Sequence, residues 1–337
     1  MRRSFPSSRP SRVLLSGLAL LLLASACGTG EVEPGDADEE TAVGSTETTG
    51  SDLAIAVASF DIAVGEDQRL LTGLLSPDRE LLAFGEVTFQ LAHLGDEAGG
   101  EAELTQAVSA SFLPVPGAEP ENATDAPRLL SGEQGSGVYA GRVDLDEPGF
   151  WGLRVVAETE DGRTLEGSTT FAVQDERQVP GPGDPAPRTS NPTIADAEAG
   201  DIEPEAIDSR AGTADGDIPD THLHDTVIAD ALDEGRAVVV GITTPVYCAS
   251  RFCGPQTNVM ADLAETHGQT AAFVHLEVWR NFDDQVVNEA AAEWILAGAE
   301  AQGNEPWFFL VDGDGTITHR WDNVLDLDDF EAALAAL

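Results

Sequence analysis

Apolar and polar positions alternate in short runs through the first half of the chain, which is the pattern of half-buried β-strands. Val87, Phe89 and Leu91, for example, alternate with polar residues and share one face of a strand. Leu53–Ala58 alternates poorly but is strand-like. Further strands are predicted at Glu86–Ala92, Val108–Leu113, Gly137–Leu145, Gly149–Glu158 and Thr164–Val173. The pair Asp161-Gly162 supplies the positive φ that a tight hairpin turn requires. Several short strands with turn signals between them favour an all-β sandwich.

The late strands of this region show a resemblance to known modules. Gly137–Val143, followed by Pro148–Val155, resembles the late strands of bacterial immunoglobulin-like or fibronectin-like modules. The resemblance implies an immunoglobulin-like β-sandwich over residues 52–175, with Tyr139 and Trp151 in its core. We find no sequence constellation of nucleophile, base and orienting group in this region, and we interpret it as a spacer or binding module.

The last third of the chain has a different pattern, in which continuous apolar runs alternate with helical periods. Arg236–Thr243 and Thr270–Val278 read as strands buried on both faces. Further strands are predicted at Glu305–Val311 and Thr316–Trp321, and helices at Thr226–Gly235, Thr257–Thr266, Asp284–Ala299 and Leu327–Leu337. The order β-α-β-α-β-β-α predicts an α/β domain over residues 219–337. The Pro-, Gly- and Asp-rich residues 176–218 before it form a linker, or a loop that lies on this domain.

Composition limits the classes of partner. Hydrophobic residues make up 42% of the 337 residues, which is enough to build folded cores. The formal charge is −44, from 61 acidic and 17 basic residues. Because phosphate binding needs a basic footprint, we predict no nucleic-acid partner.

The N-terminus has the features of a targeting segment. A basic stretch precedes the apolar run Val13–Ala24, which is followed by Ser25-Ala26-Cys27. Small residues before a cysteine resemble a bacterial lipobox, which implies a signal peptide over residues 1–27 and lipid on Cys27. Residues 28–51 then read as an acidic flexible tether. We therefore predict a lipoprotein on the outer face of a bacterial cytoplasmic membrane, in an oxidising compartment.

Two of the three cysteines remain for chemistry, Cys248 and Cys253. A cysteine directly before Gly254-Pro255 lies at a helix N-terminus, because proline suits the first helical turn. The free N–H groups and the helix dipole there stabilise a thiolate, and Arg251 adds to this effect. A thiolate is the nucleophile of disulfide exchange.

The motif Cys253-Gly254-Pro255 and a proline opening a strand, Pro306, resemble the thioredoxin superfamily. The resemblance covers the last third of the chain. It implies a thioredoxin-like α/β fold, a cis proline at Pro306 beside the redox site, and a substrate groove that includes Gly254, Pro255, Arg251 and, following the proline, Trp307.

The sequence departs from that family at specific positions. Gln256 occupies the place of the family's second cysteine, and the partner is instead Cys248, which gives the Cys-X4-Cys-Gly-Pro loop of some secreted thioredoxin-like proteins. The strand Val238–Thr243 lacks the acid that thioredoxins bury there. Glu305, directly before Pro306, is also unusual, since an anion near the sulfurs disfavours the thiolate.

Three functions stay open from these residues. In the first, the chain exchanges thiols and disulfides with extracytoplasmic proteins, without a cofactor, with Cys253 as nucleophile and Cys248 as resolving thiol. In the second, Cys248 and Cys253 form a structural disulfide in a non-catalytic surface binding or assembly protein. In the third, the chain handles copper, although none of its six histidines lies where sequence supports ligation, and no metal site is assigned.

Overall fold

The computed structural model describes residues 51–99, 103–131, 134–298 and 301–337, which belong to one compact unit, Thr48–Leu337. The signal peptide, Cys27 and almost all of the acidic tether predicted from the sequence lie outside the described residues. Among the described residues, none of the helices combines the length and apolar character needed to cross a membrane.

The first part of this unit is built on a large antiparallel sheet, as the alternating pattern predicts. Its strands are β1 Ala54–Val57, β2 Gly65–Leu75, β3 Leu81–Ala83, β4 Glu86–Gly95, β5 Gln106–Pro114, β6 Arg128–Leu130, β7 Gly137–Leu145, β8 Gly149–Glu158 and β9 Thr164–Val173. They hydrogen-bond in the order β6-β3-β2-β7-β5-β4-β8-β9, and β1 pairs with β2. The ladder is continuous, so the described strands belong to one sheet and not to the two separate sheets of the predicted sandwich. The reason is that β2 pairs with both β3 and β7 and so joins β3 and β6 to the other strands.

The long strand β2 is one that the sequence pattern does not predict. Its first half is polar and its second half is apolar on both faces, so the two-residue alternation is missing. Leu70 and Leu74 face the main core of the sheet, whereas Leu71 faces a second cluster that includes Val324, from near the end of the chain. Burial on both faces explains the missing alternation.

The sheet curls so that its two ends approach each other. The backbone N–H groups of Asp52 and Leu53 both donate to the carbonyl oxygen of Glu166 in β9, at 2.9 and 3.0 Å. The core lies inside this curl, and Tyr139 is fully buried in it. Its hydroxyl donates to the carbonyl oxygen of Phe84 at 2.6 Å, which satisfies the polar end of a core side chain.

The second part of the unit is a four-stranded mixed sheet with helices. The strands are β10 Val238–Thr243, β11 Ala272–Glu277, β14 Trp307–Val311 and β15 Ile317–Asp322; the helices are α2 Ile228–Asp233, α3 Cys253–His267, α4 Glu289–Ile295 and α5 Leu327–Ala335. The strand order is β11-β10-β14-β15, with β10 parallel to β11 and the other pairs antiparallel. Side chains of β10 alternate between two hydrophobic clusters, one on each face, as its continuous apolar sequence predicts.

The helix predicted over residues 284–299 is too long, since the observed helix runs only over Glu289–Ile295. A two-stranded hairpin comes first, formed by β12 Trp279–Asn281 and β13 Val286–Val287, and α4 begins only at Glu289. β-Branched Val286 and Val287 favour the strand. Asn288 then caps the helix, because its side chain accepts a hydrogen bond from the N–H of Ala290 at 3.3 Å.

Residues 176–218 lie on the α/β part, which is the second of the two possibilities that the sequence left open. They contain α1 Ile194–Ala199 and 3₁₀ turns at Pro204–Ala206 and Ser209–Thr213. Thr189 is fully buried, donating to Glu293 at 2.7 Å and accepting from Trp294 at 2.9 Å. This segment therefore supplies buried polar groups as well as connecting the two sheets.

Two buried ion pairs join the large sheet to the mixed sheet. Arg320 in β15 donates to Asp61 at 2.8 Å. Arg69 in β2 donates to the carboxylate of Asp322 at 3.2 Å and to the carbonyl oxygen of Val324 at 2.5 Å. The loop that follows β15 is thereby held against the large sheet, beside the helix that begins at Cys253.

Candidate functional site

The disulfide lies at the start of α3. Cys248 is in the loop after β10, Cys253 is the first residue of the helix, and their Cα atoms are 6.0 Å apart. The N–H of Cys248 donates to the carbonyl oxygen of Thr244 at 3.0 Å, and Arg251 takes a left-handed φ of 63°. The loop therefore turns back on itself, and the pairing predicted for the two cysteines is confirmed.

The two sulfurs differ in their surroundings. Cys253 is fully buried, with 0% exposure, whereas Cys248 is partly exposed and its sulfur lies 3.2 Å from the hydroxyl of Ser250. Phe252, directly before Cys253, packs into the cluster that joins the large sheet to Val324. Cys248 is therefore the less buried of the two cysteine residues.

Glu305 and Pro306 lie at this site. The Glu305–Pro306 peptide bond is cis, and a carboxylate oxygen of Glu305 lies within 4.8 Å of both sulfurs. Burial raises the pKa of Glu305 to about 7. Glu305 is thus an acid that lies close to both sulfurs and gains or loses its charge near neutral pH.

Gln256 connects the disulfide helix to the loop after β15. Its side chain is fully buried and donates to the carbonyl oxygen of Asn323 at 2.9 Å, and it accepts from the N–H of Leu325 at 2.6 Å. The N–H of Asn323 in turn donates to the carbonyl oxygen of Pro306 at 2.8 Å. Gln256 therefore has a structural role that the sequence motif alone did not suggest.

The residues predicted for a substrate groove are divided by the structure. Arg251 is exposed, and Gly254 and Pro255 are half-buried beside the disulfide. Trp307 is only 2% exposed, because its indole packs against Phe60 and stacks with Phe309. The structure thus places Trp307 in the core instead of on a surface that a substrate reaches.

An aromatic surface lies next to Cys248. The rings of Tyr247 and Phe282 stack in parallel with their centroids 4.0 Å apart, and Trp279 meets Phe282 edge-on at 5.5 Å. Val246 beside them is 42% exposed. Sequence reasoning missed this surface, because Phe282 lies in the turn of the unpredicted hairpin.

Comparison with known proteins does not place this chain in a family. No family model matches it, and no curated protein does. Among solved structures, the crystal structure of MtrC from Shewanella baltica OS185 matches over 38% of this chain at 9% identity, with a TM-score of 0.22. The match spans 24% of that chain's length, and at this TM-score it carries no argument about fold or function.

A chain of hydrogen bonds runs inward from the disulfide. Thr257 in α3 donates to the carbonyl oxygen of Cys253 at 2.8 Å, and its hydroxyl lies 2.6 Å from that of Thr243. Thr243 lies 2.8 Å from Nε2 of His275 in β11. Burial lowers the pKa of His275 to about 3, so this imidazole is neutral. The sequence placed His275 on a buried strand without finding what its ring contacts.

Proposed function

We propose that this chain carries out thiol–disulfide exchange with extracytoplasmic proteins through the pair Cys248 and Cys253. The α/β part would be a thioredoxin-like domain and the large sheet a spacer, with lipid on Cys27 anchoring both at the membrane. The observation that carries the proposal is the position of a disulfide at the N-terminus of α3, beside the cis peptide bond Glu305–Pro306.

The sheet order supports the thioredoxin-like part of the proposal. The parallel pair β10 and β11, with β11 at the edge of the sheet, is extended on the β10 side by the antiparallel strands β14 and β15. The disulfide loop follows β10 and enters α3, and the cis proline opens β14. Because β10 and β14 are antiparallel, the end of β10 and the start of β14 lie at the same end of the sheet. The disulfide loop and the cis proline are therefore neighbours, as a thioredoxin-like fold would have them.

The accessibility of the sulfurs suggests an order of steps. A substrate thiolate attacks Sγ of Cys248, the Cys248–Cys253 bond breaks, and Cys253 leaves as a thiolate at the helix N-terminus, where the dipole stabilises it. A second substrate thiolate then attacks the substrate sulfur of this mixed disulfide, and Cys248 leaves. The substrate gains a disulfide, and the two cysteines take up its two electrons.

The opposite assignment, with Cys253 as the nucleophile and Cys248 as the resolving thiol, stays a prediction from the sequence. It requires the mixed disulfide to form on Cys253, which is fully buried in the oxidised protein. Trapping distinguishes the two orders. Under our order, the Cys253→Ser variant accumulates a mixed disulfide with a small disulfide reagent, and the Cys248→Ser variant reacts more slowly.

The reduction potential of the pair in the purified protein tests the function itself. Equilibration with glutathione buffers should give a value between roughly −120 and −270 mV, with fast exchange, for a catalytic pair. A value below about −300 mV with slow exchange marks a structural disulfide. That second outcome would overturn the proposal.

The structural-disulfide function is a second candidate because one observation favours it. The turn after β5 lies against the start of α3, since a Cβ added at Gly117 would lie 3.0 Å from the carbonyl oxygen of Pro255. Together with the burial of Cys253, this contact limits access from one side. The copper-handling alternative has Glu305 as the third group near the two sulfurs, where a soft ion such as Cu(I) prefers thiolates.

A further inference from the structure

Three side chains that could ligate a metal meet below the disulfide, at the inner end of the hydrogen-bond chain. Asp208 directly precedes the 3₁₀ turn Ser209–Thr213, His224 follows the 3₁₀ turn Thr221–Leu223, and His275 lies in β11. Their exposures are 0%, 1% and 3%, so all three lie in the protein interior. Two of them come from segments outside the sheet, and the third comes from the sheet itself.

The three donor atoms converge. Oδ2 of Asp208 lies 3.3 Å from Nε2 of His224 and 3.7 Å from Nδ1 of His275, and all three atoms lie within 4.8 Å of one another. Two donors that bind Zn²⁺ at its usual length of about 2.1 Å in tetrahedral directions are roughly 3.4 Å apart. The observed separations need only a small closing movement to reach that geometry.

Nδ1 of His275 is buried without a hydrogen-bond partner, and Nε2 of His224 faces the Asp208 carboxylate as a close ion-pair contact without ideal hydrogen-bond geometry. Buried polar atoms are nearly always paired, because leaving them unpaired costs free energy. The unpartnered Nδ1 of His275, which faces the Asp208 carboxylate, is therefore a second observation that points to a ligand.

The hydrogen bonds on the far side of His275 fix its tautomer. The hydroxyl of Thr257 donates its hydrogen to the carbonyl oxygen of Cys253, so the same hydroxyl accepts a hydrogen bond from Thr243. Because the Thr243 hydroxyl donates its only hydrogen to Thr257, it accepts a hydrogen bond from Nε2 of His275. Nδ1 consequently carries a lone pair, and that lone pair faces the Asp208 carboxylate at 3.7 Å. A cation between the Nδ1 lone pair and the carboxylate would interact favourably with both of these acceptors.

This arrangement also has the support that metal-binding histidines usually have. A ligating imidazole generally donates its other N–H to a nearby oxygen, which sets the orientation of the ring. Thr243 provides that oxygen for His275. The planes of His224 and His275 cross at 71°, so the two rings approach the shared space from different directions.

Arg210 is the feature that works against a cation. Its guanidinium donates to both oxygens of Asp208, at 3.0 Å from Nε to Oδ1 and 2.7 Å from Nη2 to Oδ2. Arg210 also pairs with Asp220 at 2.9 Å, so the two carboxylates and the guanidinium together carry one negative charge. A divalent cation remains electrostatically acceptable, although Arg210 should weaken its binding.

We propose that Asp208, His224 and His275 bind a divalent transition-metal ion with the preferences of Zn²⁺. Such an ion takes imidazole and carboxylate donors, which are the donors present. Bound there, it fastens the 3₁₀ segments that carry Asp208 and His224 to β11. Because metal that binds only the folded state stabilises it, the ion acts as an internal clamp under the disulfide.

Zinc titration of the purified, oxidised protein tests this site, since disulfide-bonded sulfurs do not offer thiolates. We expect one Zn²⁺ per chain and a melting temperature that rises with Zn²⁺ concentration. His224→Gln should weaken binding by at least about tenfold. The matched control is His222→Gln, which alters the half-buried histidine two positions away that contacts the carbonyl oxygen of Ala261. It should leave Zn²⁺ binding unchanged.

The unaltered protein provides a second measurement in case a variant does not fold. With Co²⁺ as the probe, the ring protons of His224 and His275 should show paramagnetic NMR shifts, and those of the half-buried His319 should not. No stoichiometric Zn²⁺ binding, or binding that His224→Gln leaves intact, would overturn the proposal. The test does not depend on thiol chemistry, so its failure is separate from failure of the exchange function.

Discussion

Gln256 donates a hydrogen bond of 2.9 Å to the backbone carbonyl oxygen of Asn323 and thereby ties the first turn of α3 to the loop after β15. The same side chain accepts from the N–H of Leu325. Because Asn323 also donates to the carbonyl oxygen of Pro306, one side chain links the disulfide helix to the cis proline. The two parts of the candidate site are thus held together by buried polar contacts.

Replacing Gln256 should therefore destabilise the fold. Gln256→Leu keeps a similar volume but leaves the carbonyl of Asn323 and the N–H of Leu325 without their partner. Each unpaired buried group costs about 1–3 kcal/mol, so we expect a loss of about 3 kcal/mol in the free energy of unfolding, measured with urea. Glu265→Leu, at an exposed position of the same helix, should change it by less than about 1 kcal/mol. Equal losses in both variants would contradict this role.

The ion pair between Arg69 and Asp322 should also matter for stability. Arg69→Met removes the guanidinium that donates to the carboxylate of Asp322 and to the carbonyl oxygen of Val324. Asp322 then keeps the N–H of Phe60 at 2.7 Å but loses its charged partner. Breaking a buried pair on one side costs about 3–5 kcal/mol. Calorimetric or urea unfolding of the variant should show a loss of this order, and the double variant with Asp322→Asn should lose less than the two single variants combined.

The chain offers a matched control for that experiment. Arg163 and Asp161 form an exposed ion pair at 2.8 Å in the hairpin turn between β8 and β9. Exposed pairs contribute about 0–1 kcal/mol, so Arg163→Met should change the stability little. If Arg163→Met destabilised the protein as much as Arg69→Met, burial would not be the reason for the effect.

The sequence predicts local structure well where one pattern dominates. The strands at 137–145, 149–158 and 164–173 have the bounds that alternation predicted. It fails at β2, which is apolar on both faces because both are covered. Periodicity reports one buried face at a time, so such segments lie beyond it.

The candidate site was predictable to a similar extent. The cysteine pair and Pro306 follow from motifs that are local in sequence. Gln256 and the group around Asp208 do not, because their roles depend on partners far away in the chain. Asp208 lies in a segment whose composition suggested a linker, and no spacing rule connects it to His275. Contacts of this kind become visible only when the sheet brings distant segments together.

Glu305 should make stability depend on pH. Burial raises its pKa to about 7 in the folded protein, so between pH 5 and 7 the folded state keeps a proton that the unfolded state releases. This contribution is fully present below the unfolded pKa and is lost as the pH rises through about 7. Glu305→Gln removes that loss, so its stability relative to the unaltered protein should increase from pH 5 to pH 8.

The measurement is the difference in unfolding free energy between the two proteins at each pH. Glu277, whose pKa burial also raises to about 7, is present in both and cancels in the difference. Glu331→Gln, at an exposed position of α5, should give a difference that does not vary with pH. A flat difference for Glu305→Gln as well would show that Glu305 is ionised alike in the folded and unfolded states.

The same carboxylate should slow reduction of the disulfide at alkaline pH. A thiolate reductant that approaches Cys248 meets the charged Glu305 within 4.8 Å of both sulfurs, and the repulsion at that distance slows a reaction by about four- to tenfold under partial screening. Glu305→Gln should therefore be reduced faster than the unaltered protein at pH 8, and at a similar rate at pH 5.5. The rate of thiol release with dithiothreitol measures this. A rate ratio that is the same at both pH values would contradict the charge effect.

Substitution of Gly117, in the turn after β5, tests whether this turn limits access to the disulfide at the start of α3. Its φ is +80°, and an added Cβ would lie 3.0 Å from the carbonyl oxygen of Pro255, two residues after Cys253. Gly162 has a nearly identical φ of +82° with nothing within 4 Å of an added Cβ. Both changes to alanine carry the backbone cost of the left-handed region, about 1 kcal/mol, but only Gly117→Ala also presses on the helix.

We expect Gly117→Ala to lose about 1–3 kcal/mol more unfolding free energy than Gly162→Ala. We also expect its disulfide to be reduced faster, because the start of α3 is displaced. A displacement that favours the open form by about 1 kcal/mol corresponds to roughly a fivefold faster rate. If the two variants lose equal stability and are reduced at equal rates, the contact between the sheet and the helix does not control access to the cysteines.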